Sequence, residues 1–287
     1  MRTLARLFVG TVIALGLLVP PAGAITYGTP DGDGHPYVGI VRLFDADGAY
    51  LWRCSGTLLS STVFLTAGHC AGTDDTDPDD VQTPARAAVW FTPTAPATPE
   101  DQSLWTFEYF TTQVDPPASL GTPVPHPDYE SFRGFPDTHD IGIVVLDTPV
   151  VMDTYGTLPP EGFLDQYATQ RGLREIWFTT VGYGVQQIRP QDITLTVRYV
   201  STSSLVNLRS FNAAGFSMQT TNNPGGGRDA RIGGSCFGDS GGPVFYEDTT
   251  IIVGIVSYGL SPNCTGNNDF SFRVDTEESL SFVDQYL

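Results

Sequence analysis

The chain reads as short apolar runs broken by turn residues, not as long amphipathic stretches. Residues 37–43, 63–66, 87–91, 141–146, 176–181, 193–200, 251–257 and 270–274 are rich in Val, Ile, Leu and aromatic side chains, with Gly, Pro, Asp and Ser between the runs. Repeated short strands with no helical pattern between them predict an all-β sandwich or barrel class. Residues 71–125 are rich in Pro, Asp and Thr and read mostly as surface loops, with strands at 87–91 and 104–110. A Gly-rich loop covers 222–231, and Pro149, Gly156, Pro159 and Pro160 mark a connection between two units near 147–160. Only 277–287 reads as a helix, with Leu280, Phe282, Val283 and Tyr286 on an apolar face.

The N-terminus follows a different pattern. Arg2 and Arg6 precede an apolar run over 7–19 that ends in Pro20-Pro21-Ala22-Gly23-Ala24. This is the pattern of a secretory signal cleaved after Ala24, and the run is shorter than the roughly 20 residues a bilayer requires. Residues 1–24 are therefore expected to be a signal peptide, and the protein to be secreted with no membrane partner.

Composition narrows the chemistry. A net charge of −18 repels nucleic acid and anionic lipid, so neither is an expected partner. All 14 basic residues are arginine, which excludes lysine Schiff bases, Ser-Lys dyads and the P-loop lysine. Cys54, Cys70, Cys236 and Cys264 predict two disulfides in an exported chain, with the pairing left open. No C-x-x-C spacing occurs and the histidines are scattered, so no metal is expected. Asp74, Asp75, Asp77, Asp79 and Asp80 fit no alternating ligand pattern for calcium and read as a solvated acidic loop. Asn263-Cys264-Thr265 is a glycosylation sequon.

Three segments carry chemistry. In Cys236-Phe237-Gly238-Asp239-Ser240-Gly241-Gly242-Pro243 a serine flanked by glycines can present its hydroxyl on an uncrowded turn, with backbone N–H groups free to face an oxyanion. The same spacing fits the nucleophile elbow of α/β-hydrolases, but there the histidine follows the serine, whereas His35, His69, His126 and His139 all precede Ser240. His69 sits in Thr66-Ala67-Gly68-His69-Cys70 at the end of an apolar strand, beside a cysteine that would pin it as a general base. Asp140 opens the apolar strand 141–146, where a partly buried carboxylate favours an imidazole partner.

In the order His, Asp, Ser, these segments resemble the signature motifs of chymotrypsin/trypsin-like serine proteases. Cys54-Ser55-Gly56-Thr57-Leu58, Val181-Gly182-Tyr183-Gly184 and Ser257-Tyr258-Gly259 resemble further strands of that family, so the resemblance covers nearly all of 25–287. It implies two antiparallel six-stranded β-barrels with a C-terminal helix. Residues 25–150 would form the first barrel with His69 and Asp140. Residues 151–287 would form the second, with Ser240, the substrate pocket and the helix. Carried over, Ser240 is the nucleophile, His69 the base and acid, and Asp140 its orienting partner supported by Ser257. The N–H groups of Gly238 and Ser240 form the oxyanion hole, and residues 257–259 pair with the substrate backbone. The implied disulfides are Cys54–Cys70 and Cys236–Cys264.

The implied function is a secreted serine endopeptidase working through an acyl-enzyme without a cofactor. It would act as a monomer on protein or peptide substrates and meet protein protease inhibitors. The competing reading is an inactive homologue that serves as a binding module. Cleavage after Ala24 would expose Ile25, whose ammonium would pair with Asp239 as in activated relatives. The chain departs from the family in a longer His69–Asp140 interval, in lacking cysteines for a third disulfide, and in placing Tyr183 and Tyr258 where tryptophan is usual. At the pocket, Gly234 and Ser235 stand where trypsin-like relatives carry an acid, while Asp269 falls on the opposite wall. Two expectations stay open: a charged pocket for Arg or Lys, which is favoured, or an outward-facing Asp269 and a neutral pocket for aromatic or leucine side chains.

Overall fold

The structure, a computed structural model, describes residues 25–76, 81–169, 176–186, 188, 196–222, 233–264 and 266–287. The signal-like segment, Asp77, Asp79, Asp80, most of the 222–231 loop, the start of the 193–200 run and Thr265 lie outside them.

The first barrel closes in the order β2 (Val38–Phe44), β3 (Tyr50–Leu58), β4 (Val63–Thr66), β7 (Gly142–Leu146), β6 (Ser119–Pro125), β5 (Arg86–Trp90), with β5 returning to β2. The second runs β9 (Tyr199–Asn207), β10 (Ser217–Asn222), β13 (Gly266–Arg273), β12 (Ile252–Gly259), β11 (Pro243–Tyr246), β8 (Trp177–Gly182), closed by β8 on β9. Closure removes the edges that open sheets expose. β1 (Thr29–Pro30) pairs with β9, so the segment before β2 lies against the second barrel. Arg198, fully buried, fastens it there by donating to Asp31 at 2.9 Å and to the Val38 and Phe91 carbonyls at 3.0 Å. One apolar cluster runs through both units, from Val41, Leu65 and Ile143 to Phe245, Ile255 and Val283.

Three sequence expectations need correction. Residues 104–110 form no strand: a 3-10 turn at Gln102–Leu104 leads into helix α2 (Phe107–Thr112). Thr106 caps it by accepting from the Tyr109 N–H at 3.2 Å, and Phe107 and Phe110, three residues apart on one helical face, pack on Phe44. β6 falls in the Pro-, Asp- and Thr-rich stretch that reads as loop, and it contains Pro123 and Pro125. β5 pairs with β6 only as far as Gly121, so beyond it β6 has a neighbour on the β7 side alone, and the prolines lose no ladder bond on the open side. The C-terminal helix α3 (Glu277–Val283) forms but stops short of Leu287, and a four-residue helix α1 (Gly68–Ala71) follows β4.

Candidate active site

The antiparallel pairing of β4 with β7 sets Thr66 opposite Gly142. His69, on α1 just past the end of β4, therefore meets Asp140, just before the start of β7. The Asp140 carboxylate accepts from the His69 backbone N–H at 2.7 Å and from Nδ1 at 2.9 and 3.1 Å. Ser257 Oγ donates to its Oδ2 at 2.5 Å. Asp140 is fully buried, while the His69 side chain keeps 21% of its surface open to the cleft. Burial would raise the Asp140 pKa, yet the charge and hydrogen bond of His69 outweigh it and hold the carboxyl below its ordinary range. For His69, burial pushes downward, but the Asp140 charge and hydrogen bond win and the pKa lies above 6.5.

Ser240 comes from the second barrel and is held by the first. Ser55 of β3 donates its N–H to the Ser240 carbonyl at 2.8 Å and its Oγ to the Gly238 carbonyl at 2.9 Å. Gly238 and Gly241 adopt φ of +92° and +78°, and a Cβ at Gly241 would strike Thr66 Oγ1 and the Ser55 carbonyl, so the turn admits only glycine there. The Asp239 and Gly241 N–H groups are bonded within the protein. Those of Gly238 and Ser240 have no partner among the described residues, which leaves them free for an oxyanion.

A cavity of about 280 Å³ opens beside these groups, lined by His69, Ser240, Ser235, residues 256–259, Asp269 and the Cys236–Cys264 disulfide. The other disulfide joins Cys54 to Cys70 behind His69. The β12–β13 register shifts between Val256 and Tyr258, a bulge that turns Ser257 to Asp140. β11 covers β12 only to Ile255 in register, so residues 257–259 border the cavity. Gly234 sits against Asn222 and bridges to Thr26.

Asp269 does not point to solvent. It is 6% exposed, and its carboxylate accepts from Asn222 Nδ2 and the Ser235 N–H at 2.6 Å and from Ser235 Oγ at 2.9 Å. Burial pushes its pKa up to about 6 despite these donors. Asp239, also buried, accepts from the Gly184 and Cys236 N–H groups at 2.8 and 2.9 Å, and burial raises it to about 7. Ile25 is fully buried, but no direct contact with Asp239 is among the described interactions.

Several site residues have no role assigned from the sequence. Ser55 lies within the Cys54–Leu58 motif, but its hold on the Ser240 turn does not show there. Phe132 is another: its ring lies 5.6 Å from that of His69, and it lines both the first cavity and a second of about 340 Å³ on the other side of His69, with Trp52, Arg53 and Tyr129. The long interval before Asp140 is thus spent on a wall over the cleft, where Phe132 and Phe135 meet Tyr258 edge-on at 6.2 and 5.9 Å. Only the surplus length of that interval signals them in sequence. Asp74 accepts from Thr76 and Asp75 pairs with Arg133 at 2.8 Å, so both acids have partners within the protein.

Paired closed six-stranded antiparallel barrels with the cleft between them are the architecture of chymotrypsin-like serine proteases. The trypsin family's sequence model matches residues 30–282, and the chain belongs to that family. It is 26% identical over 242 residues to CLIP domain-containing serine protease B10 of Anopheles gambiae, covering 79% of this chain and 60% of that one. It is 28% identical over 248 residues to the phenoloxidase-activating enzyme of Bombyx mori, covering 79% and 52%. The chain thus spans little more than half the length of these relatives. Among solved structures, HL collagenase superposes with a TM-score of 0.63 at 16% identity, over 91% of this chain and 97% of that one.

Proposed function

We propose that the chain is a secreted serine endopeptidase that cleaves peptide bonds through an acyl-enzyme. The observation that carries this reading is a fully buried Asp140 bonded to His69 Nδ1, with His69 and Ser240 lining one cavity. Ser240 Oγ attacks the scissile carbonyl while His69 Nε2 takes its proton; His69 then returns that proton to the leaving amine. Asp140 keeps the proton of neutral His69 on Nδ1 and stabilises the imidazolium. The unpartnered N–H groups of Gly238 and Ser240 receive the oxyanion, and the substrate backbone pairs with residues 257–259. Water repeats the attack on the acyl-enzyme and frees Ser240.

The buried Asp269 carboxylate, bordering the cavity and held only by neutral donors, supports a preference for Arg or Lys before the scissile bond. Asp239 supports activation at the N-terminus: a buried acid pushed to about 7 has an unmet need for a cation, which a free Ile25 ammonium would fill. A fluorophosphonate should label Ser240 stoichiometrically, and faster in a chain beginning at Ile25 than in one retaining the preceding residues. An adduct at another residue, or none, sinks the nucleophile assignment, and equal labelling of both forms sinks the activation step.

A further inference from the structure

Behind the Asp140 turn, facing away from the cleft, the fold gathers groups that lie far apart in the chain. His126 directly follows β6, His139 precedes Asp140, and Glu278 stands in the first turn of α3. The two imidazoles stack with centroids 5.3 Å apart and planes within 10°. Both converge on one oxygen: Glu278 Oε1 lies 2.6 Å from His139 Nδ1 and 3.6 Å from His126 Nε2. With Asp128 included, one donor atom from each of the four residues lies within 4.8 Å of every other.

Hydrogen bonding leaves this cluster incomplete. His139 Nδ1 is shielded from solvent and makes no hydrogen bond of acceptable direction, even though Glu278 is near. Asp137 Oδ1, 3.6 Å from that nitrogen, is likewise buried without a hydrogen bond. Two imidazole nitrogens gathered around one carboxylate oxygen form a ligand set for a borderline cation, not for calcium or magnesium, which favour all-oxygen shells. The surroundings suit ligation as well. Phe282 of α3 supports the His126 ring at 5.0 Å. His126 Nδ1 accepts the Asp128 backbone N–H at 3.2 Å; when Nε2 takes a metal the ring proton moves to Nδ1 at the expense of that bond, and the Asp128 carboxylate, whose Oδ2 is 4.0 Å away, can receive it.

We propose that His126, His139 and Glu278 bind one zinc ion, which clamps the C-terminal helix α3 to the first-barrel turn that delivers Asp140. Such an ion would join the two halves of the chain at a point remote from the substrate, so its primary effect is on stability.

The test uses the Ser240→Ala protein, to prevent self-cleavage, with zinc titrated by calorimetry and followed by thermal unfolding. One zinc per chain is expected, with a Tm rise of roughly 5–10 °C at zinc a hundredfold above Kd. Glu278→Gln, at a side chain 40% exposed and so tolerant of change, should keep the zinc-free Tm and weaken zinc at least tenfold; His126→Gln should weaken it similarly. Equal zinc binding by the Ser240→Ala protein with and without Glu278→Gln overturns the proposal, as does no binding at millimolar zinc. Binding that survives Glu278→Gln but disappears in His69→Ala would place the ion in the cleft and overturn it too. An equal Tm rise with calcium or magnesium would point to the acidic loops and against this site.

Discussion

Asp140 in the first barrel and Asp269 in the second have similar surroundings and opposite electrostatics. Both carboxylates are almost wholly buried, and both accept from a backbone N–H and from side chains, His69 and Ser257 in one case, Ser235 and Asn222 in the other. Yet Asp140 is held below the ordinary range while Asp269 rises to about 6. The difference is the imidazole. Neutral donors orient a buried carboxylate but do not replace the solvation of its charge; a partner that can become cationic does. Asp140 has its counter-ion built in, whereas Asp269 has only neutral donors among the described residues.

The largest test of that contrast is Asp140→Asn. The amide keeps the shape but disfavours the working tautomer of His69, and kcat should fall by about 10⁴-fold, as for such triads generally. A loss of only a few-fold, measured against titrated active sites, would mean that Asp140 is not the orienting group. Next in size is Asp269→Ser. A charge-assisted contact is worth roughly 1.5–3 kcal/mol, so the ratio of kcat/KM for cleavage after Arg to that after Phe should drop at least tenfold. An unchanged ratio would show that Asp269 does not meet the substrate side chain.

Acidity offers finer tests. Because kcat/KM reports the free protein, the Arg-to-Phe ratio should climb several-fold as pH rises through about 6, where Asp269 ionises, and stay flat in Asp269→Ser. The smallest effect concerns His69. Its pKa is raised, so the base is lost to protonation as pH falls through a value above 6.5, and cleavage after Arg and after Phe should share that acid limb. Asp140→Asn should move the limb to lower pH, since the Asp140 charge no longer opposes burial. A limb that stays in place would assign it to another group.

The paired barrels, and the segments that carry Ser240, His69 and Asp140, were legible in sequence because each part carries a local signature. Gly238 and Gly241 flank the serine in a short turn where both take positive φ, His69 and Asp140 each sit at the end of an apolar run, and chain order alone set aside the α/β-hydrolase reading. Pocket chemistry was legible only as two alternatives, because the loop between Gly259 and Cys264 left the register of Asp269 uncertain until its pairing with Gly259 and Thr220 placed it on the cavity wall. Local pattern misled where six residues could read as strand or helix, as at α2, and where prolines lie on a half-paired strand, as at β6.

What the sequence by itself determined is the set of short-range constraints: strand periodicity, the glycine-flanked serine, and cysteines beside the functional segments. Those follow from sterics and burial over a few residues. Only the tertiary structure decided that Ser55 holds the Ser240 turn, that Phe132 walls the cleft, that Asp269 is buried among neutral donors, and that His126 and His139 meet Glu278. Each of these joins residues on different strands or different barrels, and such closeness depends on strand register and barrel closure, which no local pattern encodes.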